Sequence, residues 1–323
     1  MRFKLAWIGV MVLGLAQPAV SQTYPSKPVR IIVPFAAGGA NDLSARAIQI
    51  PLGRILGGTV IVENVPGAST KIATEQLIKA EPDGHTLMLA GHLALMGYYY
   101  SAAVEEKYWH KMTILGETGN FPWGMLEARA DAPFKNWKEL VEYAKKNPGK
   151  LSVGGPAPGG MMNMIALETA KSAGIDVTYI PYKGGGPSGL ALLGGQVEYR
   201  VAQPSEVYPN VRAGKTRALA VAGPYRMEEM PDVPTLRELG IAFDVPVFGF
   251  DFWGPANMPS ALADRISRAI EQAVKDPAFV EASKVLVYKP EFTGPEKLKE
   301  SIRNFETNLG PKMLAAFPPE PKK

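Results

Sequence analysis

Apolar residues along the chain come in short β-branched runs followed by stretches with helical spacing, an alternation that predicts strands and helices in turn. Residues 29–35 (VRIIVPF) read as a strand running into the small residues Ala36, Ala37, Gly38, Gly39 and Ala40. Leu43, Ala47, Ile48, Leu52, Ile55 and Leu56 then share one face of a helix headed by Asn41 and Asp42. Pro51 lies inside that helix; it lacks an N–H and crowds the carbonyl of Ala47, so a kink or break is expected. A second strand at 60–62, a helix at 70–80 and a third strand at 85–90 complete a βαβαβ pattern, which predicts a parallel sheet covered by helices on both faces.

The alternation restarts downstream with a helix at 137–147 closed by Pro148-Gly149, a strand at 151–154, a helix at 163–173 and a strand at 177–180. Further strands are expected at 196–202 and 217–222, and helices at 261–275, 277–285 and from 295 to about 316. Two α/β domains follow, the helical tail returning to the first. The expected division is 22–124 plus 251–323 for one domain and 125–250 for the other. Ligands of such sheets sit outside the carboxyl ends of the strands, so the loops after Phe35, Ala90, Gly154, Ile180 and Ala202 are the candidate site.

The amino terminus changes the picture of where this happens. Arg2 and Lys4 supply a basic start, residues 5–16 an apolar stretch, and Ala19-Val20-Ser21 a small-x-small end. This is the pattern of a cleaved secretory signal over 1–21. Its apolar stretch, about 18 Å long as a helix, falls short of a bilayer's roughly 30 Å core. Release into the periplasm or an extracellular space is expected. Of the 323 residues 46% are apolar and 20% charged, a balance that supports a packed core rather than disorder. The formal charge of +4 includes Arg2 and Lys4, and no basic run or basic-aromatic stripe stands out, so a nucleic-acid partner is not expected. The absence of cysteine removes disulfides, thiolate metal sites and a cysteine nucleophile.

Catalytic signatures fail on inspection. His85, His92 and His110 show no metal-ligand spacing and no carboxylate partner at helical spacing, so no metal site is expected. His92, placed in a loop after a strand, either packs or hydrogen-bonds a ligand. No G-x-S-x-G elbow is present. Gly214-Lys215-Thr216 lacks the leading glycine of a phosphate loop, that position being Pro209. Gly184 to Gly189 matches G-x-G-x-x-G literally, but Pro187 stiffens it and the segment up to Gly194 leaves too short a crossover helix for a dinucleotide fold. No cofactor is expected.

What remains is a set of loops suited to an anion. In the segment Phe35, Ala36, Ala37, Gly38, Gly39, Ala40 and Asn41, small residues let a ligand approach the main chain, and the N–H groups opening the next helix are expected to point outward at it. Asp42 would repel that anion and is read as holding the loop. The glycine-rich 154–160 segment, with Gly155, Pro156, Ala157 and Gly160, repeats the design, followed by Tyr182, Lys183 and Gly184. Lys183 either neutralises a carboxylate or is solvated; Tyr182 offers its hydroxyl or packs its ring. Phe248, Phe250, Phe252 and Trp253 read as core or hinge packing.

Tyr24-Pro25-Ser26-Lys27-Pro28-Val29-Arg30, Val33-Pro34-Phe35, Gly38-Gly39, Asp42 and Ala45-Arg46 resemble the opening of the tripartite tricarboxylate transporter receptors, the Bug family. Val62-Glu63-Asn64, Pro66-Gly67-Ala68, Pro82-Asp83-Gly84, Pro148-Gly149-Lys150, Pro181-Tyr182-Lys183-Gly184, Gly195-Gln196-Val197 and Pro231-Asp232-Val233-Pro234-Thr235 continue it in the family's order. The resemblance implies an α/β, two-domain periplasmic binding protein of flytrap form, each domain a mixed sheet flanked by helices, joined by crossing strands. It implies a monomer that captures a small organic carboxylate, a dicarboxylate or aromatic acid, and delivers it to membrane transporter subunits without acting on it. Carried over, the contacts fall in the first loop, between Gly154 and Asn163, at Tyr182 to Gly184 and near Gln203. A hydroxyl-bearing Gly-Ser stretch and a following histidine, common in the family, are Gly154-Gly155-Pro156-Ala157 and Asn163 here, so the ligand's far end is expected to be bound in a less usual way. A ligand-presenting partner of a membrane sensor, or an exported enzyme on a small carboxylate, are the competing readings.

Overall fold

A computed structural model describes residues 24–100, 106–122, 124–242 and 248–311; the signal assigned to 1–21 lies outside them. The first lobe opens with β1 (Val29–Val33), α1 (Ala40–Leu56), β2 (Val60–Asn64), α2 (Lys71–Ile78), β3 (Thr86–Leu89), α3 (His92–Tyr100) and β4 (Met112–Phe121). A second sheet then receives β5 (Gly124–Arg129), α4 (Trp137–Lys146), β6 (Ser152–Gly155), α5 (Met161–Ala173), β7 (Thr178–Pro181), α6 (Gly185–Leu193), β8 (Tyr199–Ala202), α7 (Pro204–Arg212) and β9 (Thr216–Ala222). The chain returns through β10 (Phe248–Pro255), α8 (Ser260–Val274), α9 (Pro277–Leu286), β11 (Lys289–Thr293) and α10 (Pro295–Asn304).

The first sheet has the order β11-β4-β10-β3-β1-β2 and the second β7-β6-β8-β5-β9. β1 is parallel to both β2 and β3, while β10 is antiparallel to β3 and β4. In the second sheet β6 is parallel to β7 and β8, and β5 is antiparallel to β8 and β9. The chain therefore crosses between sheets twice, from β4 into β5 and from β9 into β10, and those crossings are the connection between the lobes.

Strand pleating explains how each sheet is covered. On β1, Ile31 packs in the cluster with Ile48 and Leu52 of α1 and Ile266 and Ile270 of α8, whereas its neighbour Ile32 turns to Leu77 of α2 and Met88. The second lobe alternates in the same way. Leu126 and Ala128 face Trp137 and Leu140 of α4 and Ile165 of α5, while Met125 faces Val207 of α7.

Three departures from the sequence expectations concern helices. α1 runs unbroken through Pro51, which is itself buried; the burial of Ile48, Leu52 and Leu56 beside it offsets the missing hydrogen bond. The segment opened by His92 is a helix, not a loop. The short helical stretch read before Gly194 starts earlier, at Gly185, where Pro187 sits in the first turn and its missing N–H is no loss. Of the late aromatic cluster, Phe250, Phe252 and Trp253 are fully buried core on β10, as read; the Phe248 side chain lies outside the described set.

Candidate functional site

The carboxyl ends of β1 and β6 bring two similar loops face to face between the lobes. After β1, the chain passes Gly38 at φ +80° and Gly39 in extended geometry, then enters α1 at Ala40. After β6 it passes Gly159 at φ +83° and Gly160 in the same geometry, then enters α5 at Met161. In each loop the side chain four residues past the left-handed glycine folds back on it. Gly38 N–H donates to Asp42 Oδ2 (2.9 Å), and Gly159 N–H to Asn163 Oδ1 (3.0 Å). Burial raises the Asp42 pKa, but donors from Arg46 and the Gly38 amide outweigh it and hold the carboxyl below its usual range. Asn163 is thus spent on its own loop, a use the sequence did not disclose.

A small cavity of about 40 Å3, enough for a water-sized group, lies between these loops. Phe35, Gly39, Ala40 and Asn41 close it from the first lobe, and Pro156, Ala157, Gly160 and Gln203 from the second. Tyr98 and Ala94 on α3, Met161 and Met162 on α5, Gly185, Ala202 and Glu206 complete the wall. A wider recess of about 460 Å3 adjoins it, sharing Phe35, Tyr98 and Ala157 and reaching Tyr182, Lys183 and Gly184. Gly67, Ala68, Ser69 and Thr70 form its far side. Ala68, Ser69 and Thr70 have φ of +45°, +50° and +73°, three successive non-glycine residues in left-handed backbone. Such conformations cost on the order of 1 kcal/mol or more each and gather where a loop shape is functionally demanded.

The first loop's main-chain donors are less free than the sequence suggested. Ala36 N–H donates to the Lys183 carbonyl (3.0 Å) across the lobes. Gly38 N–H goes to Asp42, and Ala40 N–H donates to Glu206 Oε1 (2.7 Å), again across the lobes. Glu206, in the first turn of α7, is the residue that sequence reasoning missed; its signal was the Gln203-Pro204-Ser205-Glu206 helix start, where the acid also faces the Gln203 amide (3.4 Å). Burial raises the Glu206 pKa above its ordinary value, only partly offset by Arg200 and the two amides. Behind it, buried Arg200 donates from Nε to Glu127 Oε2 (2.5 Å), from Nη1 to the Gly185 carbonyl (2.8 Å) and from Nη2 to the Glu206 carbonyl (3.2 Å).

Of the other predicted contacts, Ala36, Ala37, Gly38, Gly155 and Asn163 line neither space: Ala37 and Gly38 are exposed, Gly155 and Asn163 buried. His92 lines neither space. It opens α3, with Nδ1 2.9 Å from Asp251 Oδ2 and 3.9 Å from Glu117 Oε2, and its amide also bonds Asp251. The fold supplies from β4 and β10 the carboxylate partners that its own helix lacks. These three buried side chains place their ligating atoms within 4.8 Å of one another, a set able to hold a cation. Burial and the neighbouring Asp251 push Glu117 up to about 7. Burial lowers the His92 pKa, but Asp251 and Glu117 reverse the sign and raise it.

Two mixed α/β sheets, exchanging strands at two crossings and facing each other across a recess, define a two-domain periplasmic binding protein. Residues 44–291 match the family model described as the tripartite tricarboxylate transporter family receptor, TctC, and the chain belongs to that family. It is 33% identical over 275 residues to "UPF0065 protein in gbd 5'region" of Cupriavidus necator, covering 84% of this chain and 82% of that one. "Protein BugT" of Bordetella pertussis is 30% identical over 302 residues, 92% of each chain. Among solved structures, the periplasmic binding protein BugD superposes with a TM-score of 0.83 at 30% identity, over 91% of this chain and 98% of that one. MatC from Rhodopseudomonas palustris, solved with bound malate, gives 0.82 at 26% identity over 90% and 100%. The family is one of receptors, and the two solved neighbours are a periplasmic binding protein and a protein with malate bound. Among the described residues no helix is long and apolar enough to cross a membrane.

Proposed function

We propose that this chain is an exported receptor that captures a small organic carboxylate between its lobes and hands it unchanged to a tripartite tricarboxylate-type transporter. The observation that carries the reading is the interlobe recess, where Lys183 and Tyr182 from one lobe meet the strained Ser69-Thr70 turn from the other. A carboxylate there meets an ammonium, hydroxyls and the amide-rich turns of both lobes, while Phe35 and Pro158 cover its carbon skeleton. Closure takes water from around the acid and strengthens each of those hydrogen bonds. The malate found in MatC is a small acid of this kind. The signal at 1–21 and the receptor family together support the periplasm as its place of work.

A thermal-shift panel of mono- and dicarboxylates, with mass spectrometry of any co-purified solute, tests this. The expected result is at least one acid that raises the melting temperature and is recovered intact. Turnover of that acid, or a panel without a single shift, overturns the proposal.

A further inference from the structure

Two buried acids face each other across the middle of the first sheet. Glu117 on β4 and Asp251 on β10 are directly paired residues of an antiparallel ladder, 7% and 0% exposed. Like charges opposite one another on neighbouring strands repel, and burial adds the cost of lost hydration. Among the described residues the ion pairs of both acids run to His92 and to no lysine or arginine. β10 lies between β4 and β3, and His92 opens α3 just after β3. Three neighbouring strands therefore deliver three chemistry-bearing side chains to one point.

Their arrangement is that of a ligand set. The His92 amide donates to Asp251 Oδ2 and so fixes the carboxylate, which lies 2.9 Å from His92 Nδ1; Glu117 Oε2 lies 3.9 Å from the same nitrogen. Atoms bound about 2.0–2.2 Å from one ion lie roughly 3–4 Å from each other, the range these two separations span. A second observation is independent of that spacing. Glu117 Oε2 and Asp251 Oδ1 are buried acceptors with no hydrogen-bond partner, a costly state that a donor or a cation relieves. None of the three residues lines either interlobe space, so capture of a solute in the cleft does not employ them.

We propose that His92, Glu117 and Asp251 hold one divalent transition-metal ion of the zinc or manganese kind, which clips β4 to β10, the two strands that carry the chain between the lobes. Two carboxylates balance the charge of such an ion. An imidazole nitrogen among the donors favours it over magnesium or calcium, which take oxygen alone. Three protein donors leave a fourth position for water. Binding releases to solvent the proton that Nδ1 shares with Asp251, together with any held by Glu117. In the ion-free chain those protons hold the cluster instead, and burial keeps Glu117 at about 7. The site is independent of which solute the cleft takes.

The test uses the untagged chain, stripped with EDTA, exchanged into chelator-free buffer and titrated calorimetrically with zinc, manganese or magnesium chloride. Zinc or manganese is expected to bind at one ion per chain, at least a hundredfold more tightly than magnesium, and to raise the melting temperature. Glu117→Gln, nearly isosteric and checked for an unchanged circular dichroism spectrum, is expected to weaken that binding at least tenfold. The double variant His85→Asn, His110→Gln leaves His92 as the sole histidine and should bind as the wild type does. X-ray absorption at the metal edge of that variant should show one imidazole ligand, a readout that stands whether or not Glu117→Gln folds. A wild type that retains neither metal, binding untouched by Glu117→Gln, binding lost in the double variant, or an absorption spectrum without imidazole each overturns the proposal.

Discussion

Gly186 is the place where a single methyl group reports whether the two lobes meet in the working protein. It lies in the first turn of α6, and a Cβ built on it would sit far inside contact distance of the Ala37 carbonyl oxygen and 3.2 Å from the Gly38 carbonyl carbon. Both neighbours belong to the opposite lobe, so Gly186→Ala strains neither lobe alone, and alanine is the better helix former by about 1 kcal/mol. To restore an ordinary van der Waals contact the lobes must part by on the order of 1 Å. That carries the Ala36–Lys183 bond, 3.0 Å, and the Ala40–Glu206 bond, 2.7 Å, beyond hydrogen-bond reach. A neutral bond contributes about 1 kcal/mol and one to a carboxylate about 1.5–3 kcal/mol, so the closed state loses roughly 2.5–4 kcal/mol. If closure is coupled to binding, affinity falls on the order of a hundredfold to a thousandfold. Titration calorimetry with the tightest acid from the thermal-shift panel measures it, and the unliganded melting temperature should stay level or rise. An affinity within threefold of wild type would show that the observed lobe contact is not part of the bound state.

Three further outcomes follow from groups described above. Glu117, at about 7 in the fold and near 4.5 when unfolded, keeps a proton in the native state that the unfolded chain has released; its contribution is present at low pH and is lost as pH rises to about 7. Glu117→Gln should therefore match wild type at pH 4 and exceed it by up to about 3 kcal/mol at pH 8 in denaturant titrations, and a pH-independent difference would discard that account. Arg200→Met strands Glu127 and should cost about 3–5 kcal/mol, whereas the double change with Glu127→Leu should recover most of it; an equal loss in both would mean the pair is not coupled. Asn163→Ala removes the partner of the Gly159 amide and should cost about 1–2 kcal/mol of stability, visible as faster hydrogen exchange at Gly159; an unchanged exchange rate would dismiss the lock.

Where local chemistry and tertiary demand agree, the chain was readable. β1, α1, β2, α2 and β3 follow from β-branched runs and a 3.6-residue apolar spacing, and Gly38 announces the first-loop turn because only glycine enters φ +80° without cost. α3 was misread because every residue but Tyr99 is buried, leaving no polar face to betray the period. α6 begins three residues before the short helical stretch read up to Gly194, because Gly185, Gly186 and Pro187, read as a loop, occupy its first turn and let the lobes approach. Most of the cavity wall lies on loops that strand ends and the family motifs pointed to, namely Phe35, Gly39, Ala40, Asn41, Pro156, Ala157, Gly160 and Gln203. Glu206 and the His92–Glu117–Asp251 group were hidden for another reason. Each joins residues more than a hundred positions apart, and no local period records which strands will become neighbours.

The threading of β10 has a consequence for the order in which the molecule can be made. That strand lies in the middle of the first sheet, between β3 and β4, yet it leaves the ribosome after the whole of the second sheet. Until it arrives, the amino-terminal strands form a fragment split down its centre, with the main-chain N–H and C=O edges of β3 and β4 that β10 will pair left unpartnered. The second lobe, continuous from β5 to β9, waits for nothing downstream. Pulse-labelled refolding should accordingly protect the amides of β5, β6 and β8 before those of β3, giving nascent chains an unfinished half for as long as synthesis lasts.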